Sequence, residues 1–295
     1  MKYTFFIFIY FVSNFCFSQN HIIVDSSTNK IIPYANIKFL KEEKGFYSNE
    51  QGRFTITEQS GDSIQISCLG YNNIFKKVNL LRDSIFLTLR IQNLDEIILH
   101  TTPPLLKKIG FKKNTLTWFP NADIQFGLLI HPTKKYENLF INTILIPTKK
   151  KYFSQKEYTI NPKYKSVIKV TLFSNKNNLP YESLLDTPII INCDQDSDNI
   201  ISVDISKEHI KFNSNGIFVC IERVGEIDLK GSVLEKKIIR PGLIFTNKTT
   251  KDFLTNKSFY KHKLSNGWEI LDYKNMNLKK QIYLAIQLEL ATYED

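Results

Sequence analysis

The sequence predicts an all-β protein built as two β-sandwich domains in series, and three observations carry that expectation. Apolar residues recur with period two along most of the chain, the pattern of strands with one buried face. β-forming residues dominate, with 22 Phe and 14 Tyr against 2 Met. Turn residues separate the short runs at the spacing of a sandwich or barrel. A length of 295 residues suffices for two domains of ordinary size.

The first 18 residues read as an export signal. Lys2 supplies a positive start, residues 5–12 are an unbroken apolar run, and Phe15-Cys16-Phe17 extends it past Ser13 and Asn14. The stretch is too short and interrupted to span a bilayer, which needs about 20 apolar residues. Cys16 and Ser18 are small residues at the −3 and −1 positions of a cut before Gln19. Lipidation at Cys16 is a weaker reading because bulky Phe15 precedes it, and a retained anchor is the third. No later segment is apolar enough to span, so the mature chain is expected to be soluble and outside the cytoplasm.

Cleavage leaves Cys68, Cys193 and Cys220, an odd number in an oxidising compartment. Cys68 shares a face with Ile64 and Ile66 and is expected to be a buried, inert thiol. Nothing in their spacing decides whether Cys193 and Cys220 pair.

From residue 20 to 99 the pattern is one of short strands. Residues 22–24 form the first, followed by the turn Asp25-Ser-Ser-Thr-Asn-Lys30. Ala35, Ile37 and Phe39 alternate with Asn36 and Lys38, and Phe54 and Ile56 with Arg53, Thr55 and Thr57. Ile64, Ile66 and Cys68 alternate with Ser63, Gln65 and Ser67 before Gly70-Tyr71. A run at 74–80 follows, and then Ile85, Leu87 and Leu89 alternate with Phe86, Thr88 and Arg90. One apolar face per strand implies two sheets over a single core.

Three stretches closely resemble the carboxypeptidase-like regulatory domain: Val24-Asp-Ser-Ser-Thr-Asn-Lys-Ile-Ile-Pro-Tyr-Ala-Asn-Ile37, Tyr47-Ser-Asn-Glu-Gln-Gly-Arg-Phe54 and Gly61-Asp-Ser-Ile-Gln-Ile-Ser-Cys-Leu-Gly-Tyr71. The resemblance implies a transthyretin-like (prealbumin-like), Greek-key-type sandwich of seven strands, a module that is non-catalytic in its family. Gly52 and Gly70 suit turns and Pro33 a fixed strand start. Asn93-Leu-Asp-Glu-Ile-Ile-Leu99 resembles the segment that follows this module in TonB-dependent receptors of Gram-negative bacteria. The remaining strands do not recur as the lipid-facing segments of a barrel, so it is expected to be the last strand of the first domain.

Residues 100–114 read as a linker containing Pro103-Pro104, with a short helix over 105–113. Residues 115–291 read as a larger, jelly-roll-like sandwich. Residues 127–130 and 139–146 look like paired strands; strands are also expected at 167–173, 189–191, 200–205 and 216–222. The last, 281–290, turns Ile282, Leu284, Ile286, Leu288 and Leu290 inward, as a central strand does. This half is similar to a sandwich of no assigned activity that follows the regulatory domain in secreted bacterial proteins.

The sequence carries few chemical motifs. The net charge of +10 comes from 39 basic and 29 acidic residues, but the lysines are scattered. Their one tight run, Lys149-Lys150-Lys151, reads as a solvated turn. A reader of phosphates gathers its charge on one face, so no nucleic-acid partner is expected. His21, His100, His131, His209 and His262 form no zinc motif, and no nucleophile elbow, P-loop or dinucleotide fingerprint is present. Asp194, Asp196 and Asp198 are the best calcium candidates, but the twelfth position counted from Asp194 is Ile205, not Glu, so a hydrated turn is the better reading. Trp118 and Phe119 begin the second domain. Trp268, Tyr260 and Tyr273 are the aromatics to test for sugar stacking, although a Trp near a strand end more often plugs a core.

The expectation is therefore a non-catalytic, envelope-associated protein without cofactor or metal, in the periplasm, on the outer-membrane surface or secreted. A glycan or cell-wall polymer binder and an accessory subunit of a TonB-dependent uptake system are the alternatives. The partner would be an extracellular polysaccharide or an outer-membrane protein.

Overall fold

A computed structural model describes residues 19–41, 45–56, 63–90, 103–111, 116–118, 124–149, 164–194, 196–228, 233–234, 241–255, 257–262, 267–272 and 280–293. The signal segment 1–18, the 93–99 segment, His100, Phe119, Lys150, Lys151 and Tyr273 lie outside them.

Among the described residues the first module has seven strands: β1 Gln19–Asp25, β2 Asn36–Phe39, β3 Gly45–Tyr47, β4 Arg53–Ile56, β5 Ser63–Ser67, β6 Ile74–Lys77 and β7 Ser84–Leu87. They form two sheets, ordered β4-β1-β7 and β3-β2-β5-β6. Between them lie Ile23, Ala35, Ile37, Phe39, Phe54, Ile56, Ile64, Ile66, Ile85 and Leu87, the inward set of the alternation. Each Ile, Leu or Phe side chain among them contributes about 1.5–3 kcal/mol when fully removed from water. β1 runs antiparallel to β4 but parallel to β7.

The turn after β1 is organised by Asp25. Its Oδ1 accepts the N–H groups of Ser27 at 2.7 Å and Thr28 at 2.8 Å, and its Oδ2 accepts the Tyr71 hydroxyl at 3.0 Å. Gly70-Tyr71 therefore ties the end of the β5 region to the start of the module. The Thr28 N–H, ahead of Ser27 and Tyr71, holds the Asp25 carboxyl below its ordinary value. Burial, then the Asp25 carboxylate, pushes the Tyr71 phenol up to about 12.

The second module has sixteen strands among the described residues. In chain order they are β8 Leu105–Gly110, β9 Leu116–Trp118, β10 Ile124–Pro132, β11 Phe140–Lys149, β12 Tyr164–Lys176, β13 Leu179–Ser183, β14 Ile189–Cys193 and β15 Ile200–Asp204. They continue with β16 Ile217–Asp228, β17 Val233–Leu234, β18 Gly242–Thr246, β19 Phe253–Leu254, β20 Ser258–His262, β21 Glu269–Ile270, β22 Tyr283–Leu284 and β23 Gln287–Thr292. One sheet runs β13-β12-β16-β10-β20-β21, with β14, β17 and β19 attached; the other runs β22-β18-β11-β23-β8, with β15 and β9 attached. β10, β11 and β12 alternate between the sheets, as do β15, β16 and β18, whereas β12, β13 and β14 stay in one. Phe126, Leu128, Ile130, Ile144, Ile168, Val170, Leu172, Val219, Ile221, Phe245, Leu288 and Leu290 fill the space between.

Several expectations are corrected. Residues 105–110 are a strand, not a helix, and the segment read as linker thus supplies an edge to the second module. The Leu105, Leu106 and Ile109 spacing suits a helix, but Leu105 and Leu106 are exposed while Ile109 alone enters the core. Pairing with β23 outweighs local pattern.

Residues 127–130 and 139–146 belong to β10 and β11, which lie in opposite sheets and do not pair. The Thr133–Tyr136 turn and Asn138, at φ 65°, carry the chain across. Facing sheets bury the same kinds of residue, so alternation cannot identify the partner.

The 281–290 run divides into β22 and β23 around a tight turn in which the Ile286 N–H donates to the Leu284 carbonyl at 2.8 Å. All five inward residues remain buried, and β23 is paired on both sides, by β11 and β8.

Cys193 and Cys220 are not joined by a disulfide. Cys193 lies in the inter-sheet core, whereas Cys220 packs with Leu129, Phe218 and Phe259 on the other face of the sheet. Cys68 is half-buried, because β5 ends at Ser67 and the chain turns toward the second module.

The Asp25 cluster has a pH signature. A carboxylate held low stabilises the fold above its unfolded-state value and loses that contribution as pH falls through the folded one. Chemical denaturation of the full chain should therefore show stability declining below about pH 4, with the decline shallower in Asp25→Asn.

Candidate functional site at the seam between the modules

The outer face of the four-stranded sheet of module one packs on the outer face of the β12-β16-β10-β20 sheet. On that face, cross-strand register places Lys169 opposite Glu222, Glu222 opposite Gln125, and Gln125 opposite Lys261. A polar row thus crosses four strands. On one flank Val167, Val224 and Ile227 pack with Tyr34 and Tyr47 of module one. On the other lie Phe218, Cys220, Leu129 and Phe259, with Phe173 and Trp268 against them. The row is a polar strip between apolar ones.

Module one closes on this strip. Lys169 donates through Nζ to the Tyr34 carbonyl at 2.7 Å and sits 4.5 Å from the centre of the Tyr47 ring, a cation–π contact. The Tyr47 hydroxyl donates to the Glu222 carboxylate. Gly70 permits the approach: its φ is +81°, and a Cβ there would stand 1.6 Å from the Asp186 carbonyl oxygen. The seam needs glycine at this position, in addition to its part in the turn.

Beside these contacts the modules leave a cavity of about 320 Å³. Module one lines it with Asn36, Ser67, Cys68, Tyr71, Asn73 and Arg90, among others. Module two supplies the polar row, Lys169, Glu222, Gln125 and Lys261, together with Thr171, Phe173, Tyr181 and Ser183. Asn36 Oδ1 and Thr171 Oγ1 are buried without a hydrogen-bond partner among the described residues. Burial, opposed by the nearby Glu222 carboxylate, pushes the Lys261 ammonium below its ordinary value, and Lys38 adds to the downward push. Burial pushes the Cys68 thiol up, against a weaker opposing effect of Lys169; a nucleophilic cysteine is shifted the other way.

The residues singled out from sequence are not gathered at one place. Trp118 packs against Phe126 and Phe245 in the inter-sheet core, with ring centroids 5.2 and 5.9 Å away. Trp268 covers Gly127, where a Cβ would come within 3.1 Å of the indole. Both indoles act as plugs. The Tyr260 hydroxyl donates to Glu269 at 2.5 Å. The Asp194 Oδ1 accepts the N–H groups of Asp196 and Ser197 and the Ser197 hydroxyl, so this carboxylate is built into a local turn. The described histidines are dispersed: His21, buried, contacts the Arg82 carbonyl through Nδ1 at 2.8 Å, while His131 meets the Ser214 carbonyl. None lines the cavity.

Sequence patterning did not reveal the seam. Its lysines look scattered along the chain, and only the register of β12, β16, β10 and β20 brings Lys169 and Lys261 into one row. Arg223 was also missed. It is wholly buried, donates through Nη2 to the Pro241 carbonyl at 2.8 Å, and leaves Nε and Nη1 without a partner among the described residues. Burial pushes its guanidinium down to about 10, still charged at neutral pH.

These features define a two-module β protein with a polar cavity where the modules meet. Residues 22–99 match the family model of the CarboxypepD_reg-like domain, so the first module is a prealbumin-like sandwich of that kind. No curated protein and no solved structure matches the chain.

Two variants probe this architecture. Gly70→Ala should loosen the seam, raising the rate of Cys68 alkylation about tenfold or more as the modules part more often. Arg223→Met should leave melting unchanged or raise stability by about 1–4 kcal/mol, because a similar-sized apolar group replaces a buried charge.

Proposed function

We propose that the chain is an exported, non-catalytic binding protein of the cell envelope whose ligand site is the cavity between its modules. The observation that carries this reading is a two-sided cavity: neither module forms it alone, and it exposes a polar row flanked by aromatic side chains. The CarboxypepD_reg-like match supports the non-catalytic character of the first module. Within the described residues no helix is long and apolar enough to cross a membrane. The apolar stretch at 5–12, with small residues before Gln19, supports export.

An envelope polymer, such as a polysaccharide, fits the cavity better than it fits the aromatics first singled out. Trp268 is a plug, whereas Tyr181 stands about half exposed at the cavity wall. A second reading rests on β8. This edge strand pairs with β23, and its Leu105 and Leu106 side chains are exposed, an arrangement suited to strand addition by an outer-membrane partner.

Cell fractionation should recover the chain outside the cytosol, and sedimentation with purified envelope polysaccharide should retain it. Thr171→Trp, which fills the cavity, and Tyr181→Ala, which strips its wall, should both abolish retention while circular dichroism stays unchanged. Retention that survives both variants overturns the cavity reading. Co-purification with a receptor in the absence of polymer affinity favours the β8 edge.

A further inference from the structure

Within that reading, the cavity's own chemistry selects a ligand class. Its lining holds three cations, Arg90, Lys169 and Lys261, against one carboxylate, Glu222. Those charges are not equally engaged. Lys169 is held by Tyr34 and Tyr47, and Glu222 already accepts the Tyr47 hydroxyl. Lys261 is different: it is partly buried, near Lys38 as well as Glu222, and its ammonium makes no hydrogen bond among the described residues. Net positive charge in a half-enclosed site of reduced dielectric attracts an anion.

A second observation is independent of charge. Thr171 is 4 % exposed and its hydroxyl has no partner among the described residues; Asn36 Oδ1 is likewise buried and unpartnered among them. Buried polar atoms are normally satisfied, and their exceptions mark sites that a ligand or water completes. A hydroxyl-rich ligand offers both a donor for Asn36 Oδ1 and either role for Thr171. Tyr181 adds a ring in the wall, with Lys176 4.0 Å from its centroid. Aromatic faces stack on the apolar faces of sugar rings.

We infer that the seam cavity binds a carboxylated sugar of the uronate type, its carboxylate held by Lys261 and its hydroxyls by Thr171 and Asn36. The inference rests on the cavity being the binding site at all, and it adds the charge and the ring. The two requirements separate it from neutral glycans, which lack the anion, and from simple carboxylates, which lack the hydroxyls.

Calorimetric titration of the full mature chain at low ionic strength, with D-glucuronate, D-glucose and acetate as probes, tests it. Glucuronate should bind saturably, with glucose and acetate each weaker by about tenfold or more. Lys261→Gln should weaken glucuronate by about tenfold, with Lys261→Arg restoring most of the loss. Equal affinity for glucose and glucuronate, no glucuronate binding, or indifference to Lys261→Gln overturns the inference. Loss of polysaccharide retention in Thr171→Trp with no glucuronate binding sinks the ligand class and keeps the cavity; retention that persists in Thr171→Trp sinks both.

Discussion

The arrangement of the two modules depends on one polar contact between sheets that each have a finished core of their own. Lys169 and Glu222 stand side by side in the register of β12 and β16, and Tyr47 of module one meets both. Two charges taken out of water need partners, or the desolvation penalty exceeds their attraction. The Tyr34 carbonyl and the Tyr47 ring and hydroxyl are those partners. The apolar contacts of Tyr34 and Tyr47 with Val167 and Val224 add area without direction. The polar contact supplies the direction, fixing which row of one sheet lies over which row of the other.

That division also explains the cavity. Polar side chains standing on a sheet cannot interdigitate as tightly as Val or Ile, and their unpaired atoms resist closure. Where Tyr47 meets the row, the sheets touch. Beside that contact the modules leave a space lined from Thr171 and Phe173 across to Gln125 and Lys261, by groups among which some are still able to form hydrogen bonds. A ligand site here is a by-product of one specified contact and one unmet polar row.

Much of the fold was legible because period-two burial is written residue by residue. Ile23, Ile37, Phe54, Ile64, Ile66, Ile85 and Leu87 turn inward in module one as their alternation requires, and Gly52 takes its turn at φ +66°. What alternation cannot carry is partnership. β10 and β11 show the same signal yet lie in opposite sheets, and Leu105-Leu106 pairs through its backbone while its side chains stay in solvent. The site was illegible for the same reason. Lys169, Glu222, Gln125 and Lys261 are separated by up to most of the second module in sequence, and only strand register makes them neighbours. Cys68 misled in a smaller way: the alternation that places Ile64 and Ile66 continues to it on paper, but the strand ends one residue earlier.

The pairing of β8 with β23 sets a timetable for assembly. The first strand of the second module and its last are hydrogen-bonded from Leu105↔Thr292 to Gly110↔Gln287, while β11 waits for the same strand on its other side. Module one repeats the pattern, since β1 is completed in parallel by β7. Contacts so distant along the chain form slowly, because loop closure precedes any gain from them. The second sheet cannot close until synthesis reaches residue 292. Module one, whose last strand β7 ends at Leu87, has no such wait, so the two modules mature at different points of synthesis.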